Sequence, residues 1–265
     1  MSGTEHRPAS LRLSELLVKV STSEAIQRSA LEVLRVLNSI KMLVLRDHMS
    51  GVSGVRELLS QYEVLKPFDL EKAFPGIAQA LADQSAANIE KVISSAVIIL
   101  SHSLADDIFS EACSLAIDID PKKWISQIST QREVSLQALQ VKGVDGVIAD
   151  ELKSLKIQLA AKSLPNRADI LFTNVPIRRH PDIPKDDPRY FKGATLKQAD
   201  DLRHGLIHRN GVAQIDPASG PEFMGFLHEA AHTALRSIGF AYRISIDAEF
   251  FKALGEKRTE ESKNS

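Results

Sequence analysis

The stretch that decides the fold is Ile89-Glu-Lys-Val-Ile-Ser-Ser-Ala-Val-Ile-Ile-Leu-Ser-His-Ser-Leu-Ala-Asp-Asp-Ile108, within the most apolar run of the chain. Its apolar residues recur every three or four positions, which is the period of an α-helix and not that of a strand. The pattern predicts a central core helix between residues 76 and 117, broken once. Its predicted buried side carries Ile89, Val92, Ile93, Ala96, Ile99, Leu100, Ser103, Leu104, Asp107 and Ile108.

Helical periods also dominate on either side of this run, and aromatic residues make up only 5% of the chain. Ser21-Thr-Ser-Glu24 has the composition of a helix start, and Gly51 that of a stop. The sequence therefore predicts an all-α helical bundle without internal repeats. Outside the central run we place its helices at residues 21–51, 121–140, 148–162, 196–208 and 221–238, with a turn at 143–146 and Pro165 closing the third.

The size and charge of the chain are ordinary. Its 265 residues are 43% hydrophobic and 25% charged, with a net charge of −1, so no global basic field favours a protein that coats nucleic acid. The single cysteine, Cys113, excludes an internal disulfide and is interpreted as a buried structural thiol. The N-terminus has no apolar signal region, and Val92 to Leu100 is too short and too polar to span a membrane. We expect a cytoplasmic protein.

The helical pattern lapses between residues 173 and 193, where four prolines and five lysines or arginines accompany three aspartates. A loop of this length is commonly either functional or mobile. Two interpretations stay open: a solvated linker, or a flap that contacts RNA through phosphate bonds and base stacking. The second would use Arg178, Arg179, Arg189 and Tyr190, next to Phe191.

The most informative motif is Asp201-Leu-Arg-His-Gly-Leu-Ile-His-Arg-Asn-Gly211. It combines a permanent planar cation, Arg203, with a side chain that moves protons near neutral pH, His208. RNA carries its own nucleophile, the 2′-hydroxyl, so such a pair needs no metal to cut it. We predict that His208 transfers the proton and that Arg203 stabilises the charge that grows on the phosphate.

Arg203 and His208 are five positions apart, so on one ideal helix they point about 140° away from each other. Unwinding of the helix at Asn210-Gly211 would let them converge, and so would two copies that share one cleft across a two-fold axis. His204 and His208 do share a face, which makes His204 a candidate second proton carrier or phosphate donor.

The motif resembles the Arg-φ-x3-His signature, with φ being Asn, Asp or His, of HEPN domains, the higher eukaryote and prokaryote nucleotide-binding family. The trailing Arg209-Asn210 resembles the end of the motif in bacterial ribonuclease members. The resemblance covers about residues 84–244 and implies a helical bundle, a homodimer, no cofactor, and a metal-independent ribonuclease that acts as a toxin, defence or stress effector, with an antitoxin or regulatory protein as a further partner.

HEPN ribonucleases often have a polar residue on an earlier helix that orients the motif. Asp106, Asp107 and Glu111 are the candidates here, with Asp107 preferred. The alternatives to a ribonuclease are a related nucleotide- or protein-binding module that does not cut, and an amphipathic helix end whose cations only complement the helix dipole.

A competing motif, His228-Glu-Ala-Ala-His232, spells the helix signature of zinc proteases. There the two histidines would bind zinc and Glu229 would polarise its water. The extended form of the motif fails because Leu235 and Ile238 stand where Gly and the third His belong. Candidate third ligands are Asp247, Glu249 and Glu256. A partly exposed helix face with two ordinary histidines is the structural alternative, and proximity of the same histidines to the RNA cleft is a third.

The predicted organisation has three parts. Residues 1–74 form an N-terminal helical region of unknown role, with no counterpart in the resemblance. Residues 75–255 form the HEPN-like domain, with an insertion at about 122–193. Residues 256–265 form a disordered tail.

Overall fold

The protein was analysed as a computed structural model, which describes residues 8–46, 85–124, 136–208, 216 and 219–254. Throughout these ranges the regular structure is helical, with no strand, which confirms the all-α prediction. The helices are α1 (Ala9–Arg46), α2 (Ser85–Ile119), α3 (Pro121–Trp124), α4 (Leu136–Ala160), α5 (Leu164–Asn174), α6 (Gly193–His208) and α7 (Ser219–Tyr242), followed by α8 at 248–254.

Helix α2 is the centre of the bundle and packs against α1 and α3 to α7. It runs antiparallel to α6, because His102 pairs with Asp200 while Ile98 packs on Leu206. Where the N-terminal parts of α2 and α7 meet, they approach closely: a Cβ added at Gly220 would lie 3.0 Å from the Cβ of Ser94. The core is continuous through α1, α2, α4, α5 and α7 and includes Cys113, whose predicted burial is confirmed.

The predicted buried face of α2 is wrong in part, although Leu104 and Ile108 are buried as predicted. Val92, Ala96, Leu100 and Ser103 are exposed, whereas the polar residues Ser94, Ser95, Ser101 and His102 are buried. Periodicity could not select the face because apolar residues occur almost all round this helix. Packing against the neighbouring helices determines which face is buried. Small residues such as Ser94 allow α7 to approach α2, and buried polar groups form hydrogen bonds, as Ser101 does with Gln27 of α1.

Helix α1 begins at Ala9, twelve residues before the predicted start at Ser21. Leu13, Leu16 and Val20 continue the apolar period upstream and lie in the main core against α2 and α7, so Ser21 to Ser23 stand inside the helix. The predicted boundary at residue 74 lies outside the described residues, as do residues 255–265 with the predicted tail.

The segment predicted as an insertion holds α4, α5 and the loop that precedes α6. Gly143, with φ 68° and ψ 175°, breaks α4 as predicted, but Gly146 is helical. Pro165 does not close a helix; it opens α5, which the sequence reasoning missed. The loop at 175–192 is confirmed, and its Phe191 is buried among Phe109, Phe172 and Phe226. The segment therefore belongs to the core.

Residues Lys91–Ile119 of α2 are long and apolar enough to cross a membrane by length and composition alone. The expectation that this region is too short and too polar to span a membrane considered only Val92 to Leu100, so it does not hold for the whole helix. Within the described structure this helix packs against α1 and α3 to α7 and buries His102 and several serines, although Val92 and Leu100 are exposed. Core helices of water-soluble proteins pass the same test.

Candidate functional site

The motif helix α6 is fixed to α2 by a small apolar contact. Leu206 packs on Ile98, with Leu202, Ile99 and Phe223 of α7 around them. Arg203 lies one turn before Leu206 on nearly the same side of α6. The fold therefore places the motif arginine at the seam between α6 and α2, where it is half-buried.

At this seam α2 supplies a histidine and α6 a carboxylate. The His102 Nε2 lies 2.8 Å from the Asp200 Oδ1, and the His102 ring is 4% exposed. An ionised carboxylate only accepts hydrogen bonds, so Nε2 carries the proton and donates it. Burial lowers the pKa of His102, the charge of Arg203 lowers it further, and Asp200 opposes both. A neutral histidine at pH 7 follows.

Within the described residues, the guanidinium of Arg203 has no ion-pair partner. Its Nε is buried without a hydrogen-bond partner, and no carboxylate within the described ranges lies at ion-pair distance from it. Asp200, three residues earlier, is engaged by His102. A half-buried arginine beside a neutral histidine, without a carboxylate partner in the described ranges, is suited to receive an anion such as phosphate at the exposed part of its side chain.

The three carboxylates expected to orient the motif have other partners. Asp107, the preferred candidate, pairs with Lys19 of α1, while Asp106 receives Arg167 and Glu111 lies 3.6 Å from Arg12. Asp107 is five residues from His102, so the helix turns it about 140° away from α6. His102 replaces Asp107 as the polar residue of α2 beside the motif.

His208 is the last residue of α6, and its side chain lies outside the described residues, as do Arg209 and Asn210. The predicted separation of Arg203 and His208 around the helix axis follows from the α-helical backbone of α6. His204 is exposed, on the side of α6 turned away from Leu206. Its predicted role stays a prediction.

The loop residues predicted to contact RNA are held by the protein itself. Arg189 forms a double ion pair with Asp187, and Arg179 lies 5.0 Å from the Tyr190 ring while donating to the Phe191 carbonyl. Arg178 lies 4.8 Å from the Phe240 ring at the far end of α7. With Phe191 in the core, the loop is anchored, and the half-buried Tyr190 is the aromatic residue left to the flap interpretation, which stays a prediction.

The zinc interpretation finds no ligand set in the part of the chain that the structure describes, where no three His, Cys, Asp or Glu side chains are grouped to hold a metal. Glu229 pairs with Arg236 and accepts from Thr233, so it is not available to a zinc-bound water. Asp247 accepts from the Phe250 backbone N–H beyond the opposite end of α7. Glu256 lies outside the described residues.

His228 is instead a core residue, 2% exposed, and neither ring nitrogen has a partner. Burial lowers its pKa to about 4. An unfolded chain binds this proton near pH 6.5, but the folded chain does not until pH falls to about 4. The stability that a neutral His228 contributes is therefore complete above pH 6.5 and is lost as pH falls between these values.

We expect acidification from about pH 7 to about pH 5 to lower the free energy of unfolding, with His228 contributing on the order of 2 kcal/mol. His228→Leu should flatten this dependence in urea melts. Equal slopes for the parent and His228→Leu would refute this assignment.

Two residues beside the motif escaped the sequence reasoning. His102 and Asp200 are 98 positions apart, so no local pattern joins them. The available signal was a histidine inside the most apolar helix, because most buried polar side chains have a hydrogen-bond partner.

Comparison with protein-family models, with curated proteins and with solved structures finds no match to this chain.

Proposed function

We propose that this chain is a metal-independent endoribonuclease of HEPN type that cleaves single-stranded RNA through attack by the 2′-hydroxyl. The observation that carries the proposal is the Arg203 guanidinium, half-buried at the α2–α6 seam without a carboxylate partner in the described structure. Such a cation is positioned to bind a phosphate and to stabilise the charge of a five-coordinate phosphorus.

The residues have separate roles in this proposal. Arg203 contacts the non-bridging phosphate oxygens, and His208 takes the 2′-hydroxyl proton or supplies one to the leaving 5′-oxygen. His102 and Asp200 are positioning residues: their hydrogen bond keeps the carboxylate away from Arg203. Without that bond, Asp200 would be free to neutralise Arg203 and compete with the RNA phosphate.

A second copy of the chain completes the site in our proposal, and the exposed face of α2 supports it. Val92, Ala96, Leu100 and Ser103 recur at helical spacing on that face, with Val92 54% and Leu100 58% exposed. Ile207, on the motif helix, is 42% exposed. A symmetric dimer through this face would repeat the same contacts on both chains and would cover apolar surface that the monomer leaves in water.

The chemistry predicts a defined response to metal and sugar. Cleavage of single-stranded RNA should continue at the parent rate in excess chelator, because no step needs a metal. The same sequence with 2′-deoxyribose should stay intact, because the nucleophile is missing. Cleavage lost on chelation and restored by zinc would contradict the proposal, and a chain that binds but does not cut RNA would be the non-catalytic alternative.

The dimer is tested by mixing two variants that are each inactive, Arg203→Ala and His208→Ala, after light scattering confirms that both associate. If each site takes its arginine from one chain and its histidine from the other, a mixture in which half the dimers are mixed recovers up to about a quarter of the parent activity. A monomeric chain with full activity would contradict the proposed dimer. If dimers form but RNA cleavage does not recover, each site takes its arginine and its histidine from the same chain.

A further inference from the structure

An open cleft of about 660 Å³ lies at the C-terminal end of α7, between that helix end, α3 and the start of the loop after α5. Its lining includes Lys123, Pro176, Phe240, Arg243 and Ile244. The volume is in the range of sites for small organic ligands. The cleft lies far from the motif. Met224 of α7 lies next to Phe223, which packs against Leu206 of the motif helix, and Phe240 follows Met224 by sixteen residues, so the two sites are about 20 Å apart along α7.

The backbone at the mouth of this cleft is a Schellman motif. The Ile244 N–H donates to the Gly239 carbonyl at 2.9 Å, and the Arg243 N–H faces the Phe240 carbonyl at 3.4 Å. Arg243 has φ 52°, in the left-handed region that normally selects glycine at this position. An arginine there is conformationally unfavourable, and the fold gains no buried contact from it because the residue is exposed.

Cations and aromatic rings meet at the cleft: Lys123, Arg243 and Phe240 line it, and Arg178 and Tyr242 contact these lining residues. The Lys123 ammonium lies 5.4 Å from the centre of the Tyr242 ring, and the Arg178 guanidinium lies 4.8 Å from that of Phe240. Phe240 is nevertheless 60% exposed. Across the described ranges, neither Arg178 nor Arg243 has an acidic side chain at ion-pair distance, and Asp120, 3.6 Å from Lys123, is the one acidic partner of the three cations.

We propose that this cleft binds a nucleotide, with the base stacked on Phe240 and the phosphate held by Arg243 and Lys123. A plain anion would explain the cations but not the exposed ring, and an apolar ligand would explain the ring but not an arginine kept in a strained conformation. A flat ring joined to a phosphate satisfies both. The nucleotide is either free or one unit of an RNA strand. The inference does not depend on cleavage at Arg203.

The test is calorimetric titration of the full-length chain carrying Arg203→Met, which keeps RNA intact during the measurement. The ligands are adenosine monophosphate, inorganic pyrophosphate and a short single-stranded oligoribonucleotide. Arg243→Gly should weaken nucleotide binding by about tenfold or more, the value of one charge-assisted hydrogen bond. Phe240→Ala should weaken it by about fivefold or more through lost stacking. Lys153→Ala, on exposed α4, is the matched loss of a surface cation and should bind as the parent does.

Folding does not confuse this test, because glycine is favoured at the backbone angles of Arg243 and the variant should melt at or above the parent temperature. Tighter binding of the oligoribonucleotide than of the mononucleotide would support the RNA strand as the source, and equal binding the free nucleotide. The proposal is overturned if neither adenosine monophosphate nor the oligoribonucleotide binds, or if both cleft variants bind these ligands as the parent does. It is also overturned if pyrophosphate binds as tightly as the nucleotide and Phe240→Ala has no effect.

Discussion

We expect Arg203→Met to lower the kcat for RNA cleavage by about 10²–10³-fold, the usual consequence of removing a group that stabilises transition-state charge. The fold should not suffer. Methionine keeps most of the apolar stem, and the change removes a buried N–H that has no partner. The melting temperature of the variant should therefore equal or exceed that of the parent.

His208→Ala should lower kcat by about 10²–10⁴-fold through the loss of proton transfer. Lys197→Ala is the matched control, since Lys197 is an exposed cation on the same helix and should leave the rate within about twofold of the parent.

Cleavage by Arg203→Met at the parent rate would show that the motif is not the site. A lower melting temperature would show that Arg203 has a structural role.

Arg167→Leu should destabilise the fold strongly, at a cost of about 3–5 kcal/mol of unfolding free energy. Arg167 is 1% exposed. Its guanidinium donates to the Leu159, Ala160 and Lys162 carbonyls at the end of α4, at 2.9, 2.7 and 2.7 Å. It also binds the backbone and side chain of Asp106 on α2, at 2.6 and 2.9 Å. Leucine would leave these acceptors without a donor.

Urea unfolding of Arg167→Leu measures this cost. Lys142→Leu removes the cation of an exposed pair with Asp150 and should leave the urea midpoint close to that of the parent. Equal stability of the two variants would refute the role of Arg167. Arg167 binds Asp106, which lies one helical turn from His102. We therefore also expect Arg167→Leu to lower RNA cleavage at temperatures where the variant is still folded.

The sequence predicted the motif helix well and the orientation of α2 badly. In α6 the residues at helical spacing, Leu196, Ala199, Leu202 and Leu206, are the buried or half-buried ones, so the period of the sequence defines its buried face, although Ile207 is exposed. In α2 apolar residues occur on all sides. The choice between its faces depended on which neighbour packed closest, and local sequence does not contain that information.

Helix α5 was missed because Arg167 occupies a core position. Leu164, Arg167, Ala168 and Leu171 follow the spacing of a buried helical face, but a charge at the second position indicates solvent exposure. The His102–Asp200 pair was missed for a related reason. Its members belong to α2 and α6, and only the antiparallel packing of these helices brings them together.

The most direct test of the central claim is the chemical end left on RNA after incubation with the chelator-treated protein. Attack by the 2′-hydroxyl must leave a 2′,3′-cyclic phosphate on the upstream fragment and a 5′-hydroxyl on the downstream one. Mass spectrometry of the fragments distinguishes these ends from those of hydrolysis by water. We predict the cyclic phosphate with the parent chain and intact RNA with Arg203→Met. Fragments ending in 3′-hydroxyl and 5′-phosphate, or RNA left intact by the parent chain, would contradict the proposed mechanism.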